Sequence, residues 1–587
     1  MLEFNNAIEI AFKDLSKERK IIQKKIDTLD KEIFKKFKEV WSTTIDIKNE
    51  AKKIEEVKIL IGFTDEFPLT IPNIYLDHDS KQKFWYLPHI DSDKNICTFD
   101  DETTIVNPKL PSNIINSCII RARQILEDGL NNKNVNDYFD EFYSYWINRY
   151  DKREIIDIRM LSLIEEINDS NINNIRILIL SQELNKYQFV LHTQNEVANN
   201  FKSYLQIKKV EYTEELVFPF PEFIVSGIPP YDIKVGDLFK ELKKVTSERI
   251  KEFQDFVNNK QRSCFITIKV ELNSKIRFLP VGIKDINANR NGFRRGKLSL
   301  FSALKTFHQG DRLIRYLPDI FNQERIEFRS SGLNDHHNFS FAFAGLGSLG
   351  SNLVHFLNNT HVNKYKFVDN DILKTENIGR HLLGFSFVRK NKCDALKNYL
   401  LEKNPLLTID IKDESIVSTI KNSPGFINDS DYLFVAIGKQ NIEEFIAKSI
   451  EQRIIKTPTF FIWVEPYLVG GHLIFIHPEN EIKFDLFFEN GLFKYNVIDS
   501  SEYRSNNPIL LKKEAGCNTN FIPYSGENVI LFLSSLYPLI NKIIYNDYNS
   551  SCSYTWMGNT ERLIQNGIKI NPKMIKYDIG KLISNEL

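Results

Sequence analysis

Eight residues in one stretch have the types and order of a phosphate-handling site: Gly345, Gly347, Gly350, Asp369, Asp371, Asn377, Arg380 and Lys392. Glycines let the backbone approach a phosphate closely, and a helix that follows them offers unpaired N–H groups to its charge. An acid about 20 positions beyond such glycines is placed to take ribose hydroxyls, the part that falls to Asp369. A dinucleotide site needs no more than that. Here Asn377 and Arg380 follow at one turn's spacing and Lys392 opens another helix, so an amide and two cations are directed toward the phosphate end. Cations there stabilise the charge that develops as pyrophosphate leaves, which is ATP chemistry rather than hydride transfer. Singly, Arg380 and Lys392 read as surface charge; as an ordered set behind the glycines they do not.

The six cysteines, at 97, 118, 264, 393, 517 and 552, are dispersed with no CxxC pair, which argues against structural zinc and a disulfide framework. Any cysteine that matters is then a single reactive thiol, and reactivity requires exposure. Cys517 sits in LLKKEAGCNTNFIPYSGENVILFL, a polar, glycine-containing loop ahead of a helix. A thiolate there can attack an acyl-adenylate, because adenylate is a good leaving group and the helix N-terminus favours negative charge. Cys552, in the terminal loop NDYNSSCSYTW, ranks second as a nucleophile. Cys393 shares a helical face with Leu396 and Leu400, and Cys264 lies at a strand edge, so both read as core.

Cys97 lies in WYLPHIDSDKNICTFDDE. A small buried apolar role is the default for cysteine, but Asp91, Asp93, Lys94 and Asn95 make its turn polar and semi-exposed. His89 stands eight residues earlier. Asp100 and Asp101 are adjacent acids beyond the cysteine.

These residues need elements to hold them. Apolar Phe339 to Ala344 enters the glycines, Ser351 to Leu357 has helical spacing, and a second strand, Lys366 to Val368, ends at Asp369, the order of a βαβ unit. Downstream, NDSDYLFVAIGKQN reads as a strand reaching Gly438, and FFIWVEPYLVGGHLIFIHPE as a buried strand with a tight hairpin at Gly470 and Gly471 before His472. At the other end, residues 4 to 40 are rich in helix formers and predict one long amphipathic helix. Short strands at Ile45 to Ile47 and Val57 to Phe63 follow, then Pro68 and Pro72 around a turn feeding a strand at Asn73 to Leu76. A helix at Ile114 to Leu126 and the aromatic run Tyr138 to Trp146 close that region. The middle alternates strands with polar helical segments and carries no catalytic constellation. Its basic run Arg290 to Lys297 reads as a solvated loop.

A chain of 587 residues exceeds one core. The reading is a multidomain α/β and α+β protein: an α+β domain over 1–155, an α+β linker domain over 156–325, and a Rossmann-like domain over 326–587. Lys+Arg and Asp+Glu are both 77, so the formal charge is zero and nothing argues for a nucleic-acid footprint. No run approaches the roughly 18 apolar residues of a membrane span, and MLEFNNAIEIAFKD lacks signal-peptide order. A cytoplasmic protein with no membrane partner is expected.

The first region, with its "FP…P" strand and later loop cysteine, resembles an E2 ubiquitin-conjugating (UBC) domain. That resemblance carries Pro68 and Pro72 onto the family's prolines, Leu87-Pro88-His89 onto HPN and Cys97 onto the thioester cysteine. His89 stands where the family has Asn, and is then either an N–H donor to the oxyanion in that residue's stead or an ordinary loop histidine; Asp100 and Asp101 either orient an incoming lysine or are solvated loop charge. The last region resembles the adenylation domain of E1 enzymes and the ThiF/MoeB family, whose motif runs GxGxxG, DxD, NxxR and a later lysine. It implies Gly345, Gly347 and Gly350 for the phosphate loop, Asp369 for ribose, Asp371 as second acid, Asn377 and Arg380 for phosphates and Lys392 for the α-phosphate. Gly438 occupies the place of an aspartate that helps hold Mg²⁺, so the metal ligands stay open, with Asp371 or Asp431 as substitutes.

An E2-like half before an E1-like half resembles the fused E1/E2 enzymes of bacterial cyclic-oligonucleotide-based antiphage signalling (CBASS) operons. The resemblance implies ATP and Mg²⁺ as cofactors and adenylation of the C-terminus of a cGAS-like nucleotidyltransferase. A thioester on Cys517, transfer to Cys97 and ligation to a lysine or other amine follow, priming second-messenger synthesis in a homodimer built through the adenylation domains. Two other readings stay open: a ThiF/MoeB-type adenylyltransferase that activates a sulfur-carrier or ubiquitin-like protein, and a non-catalytic nucleotide-binding scaffold.

Overall fold

The computed structural model describes residues 3–48, 54–77, 84, 86–91, 93–100, 103–134, 136–147, 158–164, 174–220, 230–260, 264–272, 275–283, 298–331, 338–358, 362–480, 483–505, 507–513, 520–546 and 550–586. The chain forms two compact units, one of Met1–Gln194 with Val210–Phe321 and one of Asn195–Lys209 with Asn322–Leu587.

The first unit opens on helix α1, Phe4–Leu15, whose Phe4, Ala7, Ile8, Ala11, Phe12 and Leu15 form one buried stripe. The long helix expected to about residue 40 stops there. The polar run Ser16 to Lys20 breaks the apolar period, and Ile21 and Ile22 pair as strand β1, Ile21–Lys24, with β2, Glu39–Lys48. The remaining apolar residues serve a 3₁₀ turn, Ile26–Thr28, and a single helical turn, Lys31–Phe34, capped by Asp30. Strand pairing has overridden helix propensity. β3, Ile54–Phe63, β4, Asn73–Leu76, and β5, Asn95–Ile96, complete an antiparallel sheet in the order β1-β2-β3-β4-β5. The strands expected at Ile45 and Val57 are thus parts of two ten-residue strands that pair with each other. Helix α2, Pro111–Leu130, packs with α1 on one face through Ile115, Cys118, Ile119, Ala122 and Leu126. The other face carries a small cluster of Phe34, Phe37, Val40, Leu60 and Tyr75.

Two further sheets follow in the same unit, one of five strands and one of four. Phe142 and Trp146 of the aromatic run bury themselves in the core of the four-stranded sheet, beside Ile266 and Leu279. Trp146 Nε1 donates to the Tyr316 carbonyl at 2.9 Å. Cys264 opens the strand Cys264–Leu272 fully buried, and burial pushes its thiol up to about 12. The basic run Arg290 to Lys297 lies outside the described residues.

The second unit is built on an eight-stranded sheet. Its strands are β6 (Phe339–Ala344), β7 (Val362–Val368), β8 (Thr408–Lys412), β9 (Tyr432–Val435), β10 (Thr459–Val464), β11 (Gly470–Ile476), β12 (Cys552–Met557) and β13 (Leu582–Ser584), in the order β8-β7-β6-β9-β10-β11-β12-β13. The first five are parallel and the last three antiparallel. β6 is flanked by β7 on one side and β9 on the other, so the winding reverses there. That reversal opens a crevice beyond the carboxyl ends of β6 and β9. Helices α3 (Ser348–Leu357), α4 (Lys392–Lys403) and α5 (Gln440–Glu451) follow β6, β7 and β9. The helix Glu196–Ile207 docks on this unit, where Asn200 Nδ2 donates to the Leu406 carbonyl and to Thr408 Oγ1, both at 2.9 Å.

Two local expectations change. Cys552 is not in a loop: it begins β12 opposite Phe475, and burial pushes its thiol up to about 12. Gly470 and Gly471 make no hairpin turn but lie inside β11, where a Cβ on Gly471 would stand 2.5 Å from the Phe532 ring. Among the described residues one helix, α6 (Gly526–Tyr545), is long and apolar enough to cross a membrane, with mean hydropathy 1.3. Its Val529, Phe532, Leu533, Leu536, Ile540, Ile543 and Ile544 are buried in this unit.

Candidate functional site

The crevice is shaped by glycines that have no room for a side chain. Gly345 has φ +88°, and a Cβ there would stand 2.7 Å from the Ala436 carbonyl oxygen. A Cβ on Gly350 would meet the Gly345 carbonyl oxygen at 2.0 Å. Gly347, the N-cap of α3, faces open space, so these glycines serve two ends: two close the strand–helix turn and one leaves the approach to the helix N-terminus clear.

The loop is braced from behind. Asp369 accepts the Leu346 N–H at 2.6 Å through Oδ2 and the Asp371 N–H at 2.8 Å through Oδ1. His381 was missed from sequence; it sits beside Arg380 with its Nε2 2.8 Å from the Leu346 carbonyl and its Nδ1 accepting the Leu383 N–H at 3.0 Å. With Nδ1 an acceptor, the ring is neutral and Nε2–H is the donor. Burial, chiefly, pushes its pKa down to about 4. The signal for it was a histidine beside an apolar pair in GRHLLG.

Lys392 is buried and its Nζ pairs with Asp371 Oδ2 at 2.9 Å. Asn377 Oδ1 accepts the Lys374 N–H at 3.0 Å and so caps the turn Thr375–Asn377. That turn delivers Arg380, whose guanidinium lies 5.0 Å from the Tyr524 ring centroid and whose carbonyl accepts from Ser348 Oγ at 2.8 Å. Gly347, Ser348, Asp371 and Arg380 line one end of a cavity of about 1070 Å³; Trp463, Phe488, Phe493, Leu511, Phe521 and Ile522 line its apolar remainder. Glu443, also on its wall, is buried, accepts the Gly438 N–H at 3.0 Å and is pushed up to about 7 by that burial. Among the described residues no group of three or more His, Cys, Asp or Glu side chains is placed to hold a metal ion. Asp431 Oδ2 accepts the Ser340 N–H at 2.7 Å, at the opposite end of β6 from the glycines. Cys393 is buried, with Sγ 3.3 Å from the Asp369 carbonyl oxygen and its thiol pushed up to about 12, first by burial and then by Asp369. Cys517 lies outside the described residues.

In the first unit Cys97 is exposed on the strand-like return of a tight loop, its N–H donating to the His89 carbonyl at 2.8 Å. Asp91 Oδ1 accepts the Asn95 N–H at 2.8 Å inside that loop, and burial pushes its carboxyl up to about 6. His89 itself has φ +63°. It is held there by Glu141, which takes its N–H at 2.7 Å and its Nδ1 at 2.5 Å, and by Asp137, which takes its Nε2 at 3.0 Å. Tyr145 Oη donates to the same Glu141 at 2.5 Å. Both ring nitrogens therefore meet carboxylates, and the Glu141 hydrogen bond raises the His89 pKa against the effect of burial. A hollow of about 250 Å³ nearby is lined by Phe99, Ile105, Leu110 and Cys118. Asp100 accepts from Thr103 Oγ1 at 3.2 Å, and Asp101 lies outside the described residues.

Residues 14–154 match the model of prokaryotic E2 family B, and residues 321–496 match that of the ThiF family. The chain contains an E2-like domain and a ThiF-family domain. The E2-like domain thus contains Cys97 and His89 together with the Asp137–Glu141–Tyr145 cluster, while the ThiF domain contains the glycine loop, Asp369, Arg380 and Lys392. No curated protein matches the chain. Among solved structures it is similar to selenomethionine PaaA, at 14% identity and TM-score 0.29, covering 40% of this chain and 63% of that one. It is also similar to E. coli MccB with ATP, at 15% identity and TM-score 0.29, covering 42% and 65%. E. coli MccB with AMPCPP and selenomethionine MccA gives 13% identity and TM-score 0.29, covering 42% and 65%. The chain spans less than two thirds of the length of these structures.

Sequence reasoning also passed over Glu465, the lone acid in the apolar run FFIWVEPYLVGG. It is buried on the wall of the ThiF cavity.

Proposed function

We propose that this chain is an ATP-dependent ubiquitin-like ligase of bacterial antiphage defence, of the CBASS type, working in the cytoplasm as a homodimer through its ThiF domains. In this reading the ThiF domain adenylates the C-terminus of a cGAS-like nucleotidyltransferase, Cys517 takes the acyl group as a thioester, and Cys97 receives it and passes it to a lysine or other amine. The pairing of a ThiF domain with an E2-like domain whose cysteine is exposed is the observation that carries it.

The chemistry divides between named groups. The open N-terminus of α3 at Gly347 and the Arg380 guanidinium meet the phosphates, with Lys392 released from or shared with Asp371. Asp369, whose oxygens keep spare lone pairs beyond their two backbone bonds, takes the ribose. Mg²⁺, when bound, screens phosphate charge. With Asp371 and Glu443 among the carboxyl groups that line the cavity, the donor set fits an ion carried mostly by phosphate oxygens. The carboxylate of the acyl substrate attacks the α-phosphorus, a C–O–P link forms and pyrophosphate departs. The Cys517 thiolate then displaces AMP, and the Cys97 thiolate displaces Cys517.

At Cys97 the ring nitrogens of His89 are engaged by Asp137 and Glu141, so in this proposal His89 shapes the loop and the thiol takes its oxyanion donors from elsewhere. The decisive experiment incubates the chain with ATP and a cGAS-like nucleotidyltransferase and follows DTT-sensitive adducts. Cys97→Ala should hold the adduct on the ThiF domain and Cys517→Ala should prevent both adducts. An unchanged product with Cys97→Ala would sink the relay and favour the sulfur-carrier reading. Absence of partner-dependent ATP–pyrophosphate exchange would favour the scaffold.

A further inference from the structure

Glu465 spends its whole carboxylate inside the ThiF domain. Only 3% exposed, it accepts four hydrogen bonds: His472 Nε2 at 2.9 Å and the Val497 N–H at 2.6 Å on Oε1, the Ile498 N–H at 2.9 Å and Tyr503 Oη at 2.8 Å on Oε2. The donors come from β11 and from the segment that carries Asn496, Glu502 and Tyr503 on the cavity wall. Burial, then the charge of Glu465, raises the Tyr503 phenol well above its ordinary range, so it stays a donor.

The surrounding backbone is shaped to admit this one carboxylate. A Cβ on Gly470 would stand 2.1 Å from Glu465 Oε1. In the turn Pro466–Leu468, Tyr467 and Leu468 have φ +60° and +53°, conformations that L residues avoid unless their surroundings hold them. From that turn the Tyr467 N–H donates to the Pro523 carbonyl at 2.5 Å and Tyr467 Oη to the Ile509 carbonyl at 3.1 Å. Ile509 and Pro523 directly flank the wall residues Leu510 and Ile522. None of these bonds involves the glycine loop, which Asp369 and His381 brace separately.

We propose that Glu465 is a positioning residue: its carboxylate fixes the cavity wall that receives the acyl substrate, independently of the loop that receives ATP. This rests on the reading of the ThiF domain as an adenylating enzyme. Replacing the carboxylate by an amide puts an NH₂ group among four donors, so at least one buried hydrogen bond is lost and a donor–donor contact is created. Tyr503→Phe removes a single donor and keeps the aromatic packing.

The test uses the full chain and the variants Glu465→Gln and Tyr503→Phe. Apparent KM for a cGAS-like nucleotidyltransferase and for ATP is measured by pyrophosphate exchange, AMPCPP binding by calorimetry, and amide hydrogen exchange by mass spectrometry. Glu465→Gln should raise KM for the protein substrate about tenfold or more, and Tyr503→Phe by less. KM for ATP and AMPCPP affinity should stay within about twofold, the size of a surface change. Amide exchange should quicken over 465–468, 496–503, 509–511 and 520–524 but not over 345–350 or 369–383. Equal weakening of both substrates, or unchanged kinetics in both variants, overturns the proposal. A wild-type chain inert with the nucleotidyltransferase overturns the substrate assignment instead. The wall then stands or falls on the amide pattern, and uniform or unchanged exchange overturns it.

Discussion

Two histidines brace two loops, and the fold has pushed them in opposite directions. His89 supports the turn before Cys97 with both ring nitrogens against the carboxylates of Asp137 and Glu141, which raise its pKa; His381 supports the glycine loop as a neutral ring between a carbonyl and an N–H. Partners decide the difference. Carboxylates within hydrogen-bond reach favour the charged imidazole, while burial among backbone groups disfavours it. The lesson extends to the loops themselves. The E2-like turn is shaped by side-chain charge and leaves a thiol exposed. The ThiF turn is shaped by missing side chains and leaves backbone N–H groups exposed.

The largest effects should separate the two regions by step. Arg380→Ala is expected to reduce ATP–pyrophosphate exchange by about 10²–10³-fold, the scale of losing a donor to developing charge, and with it every later adduct. Cys97→Ala should leave exchange at the wild-type rate and abolish only transfer. Exchange that falls equally in both variants would break the comparison.

Next come the glycines. Gly345→Ala forces a Cβ against the Ala436 carbonyl at φ +88° and should cost about 1–3 kcal/mol of stability, seen as a lower denaturation midpoint. Gly347→Ala meets nothing within 4 Å. Its stability should stay within about 0.5 kcal/mol while ATP affinity drops, because a methyl group then occupies the phosphate approach. Equal destabilisation by the two would contradict the division of labour between them.

The smallest effects are in pH dependence, and their signs oppose. With a folded pKa of about 4, His381 adds stability that is complete above the ordinary value near 6.5 and is lost as pH falls from there through 4. The slope is at most about 1.4 kcal/mol per pH unit for one proton. His89, raised by its carboxylates, adds stability that is complete below about 6.5 and is lost as pH rises through its folded pKa. In urea titrations across pH, His381→Gln should flatten the acid limb and His89→Gln the limb above 6.5. NMR titration of the two ring signals with the same sign of shift would refute the contrast.

Much of the ThiF crevice was readable in the linear chain because its determinants are local: glycines at fixed spacing in a strand–helix turn, an acid at the end of the next strand, and beyond it an asparagine with a cation one turn after that asparagine. The Cys97 loop was readable for a similar reason, since a cysteine among Asp91, Asp93, Lys94 and Asn95 has little apolar surface to hide in. What escaped were the braces. Asp137 and Glu141 reach His89 from 48 and 52 residues away, and His381 reaches Leu346 across 35. No spacing rule spans such gaps, because the contact exists only after β6, α3 and the following turns have packed. The expected helix over residues 4 to 40 failed for the same cause: Ile21 and Ile22 fit a helical period but found strand partners in Ser42 and Thr43. Residue types and local order thus determined which chemistry this chain carries. The tertiary structure alone decided the opposite directions in which its histidines are pushed, the saturation of Glu465 and the burial of Cys552, since each depends on desolvation and on partners drawn from distant segments.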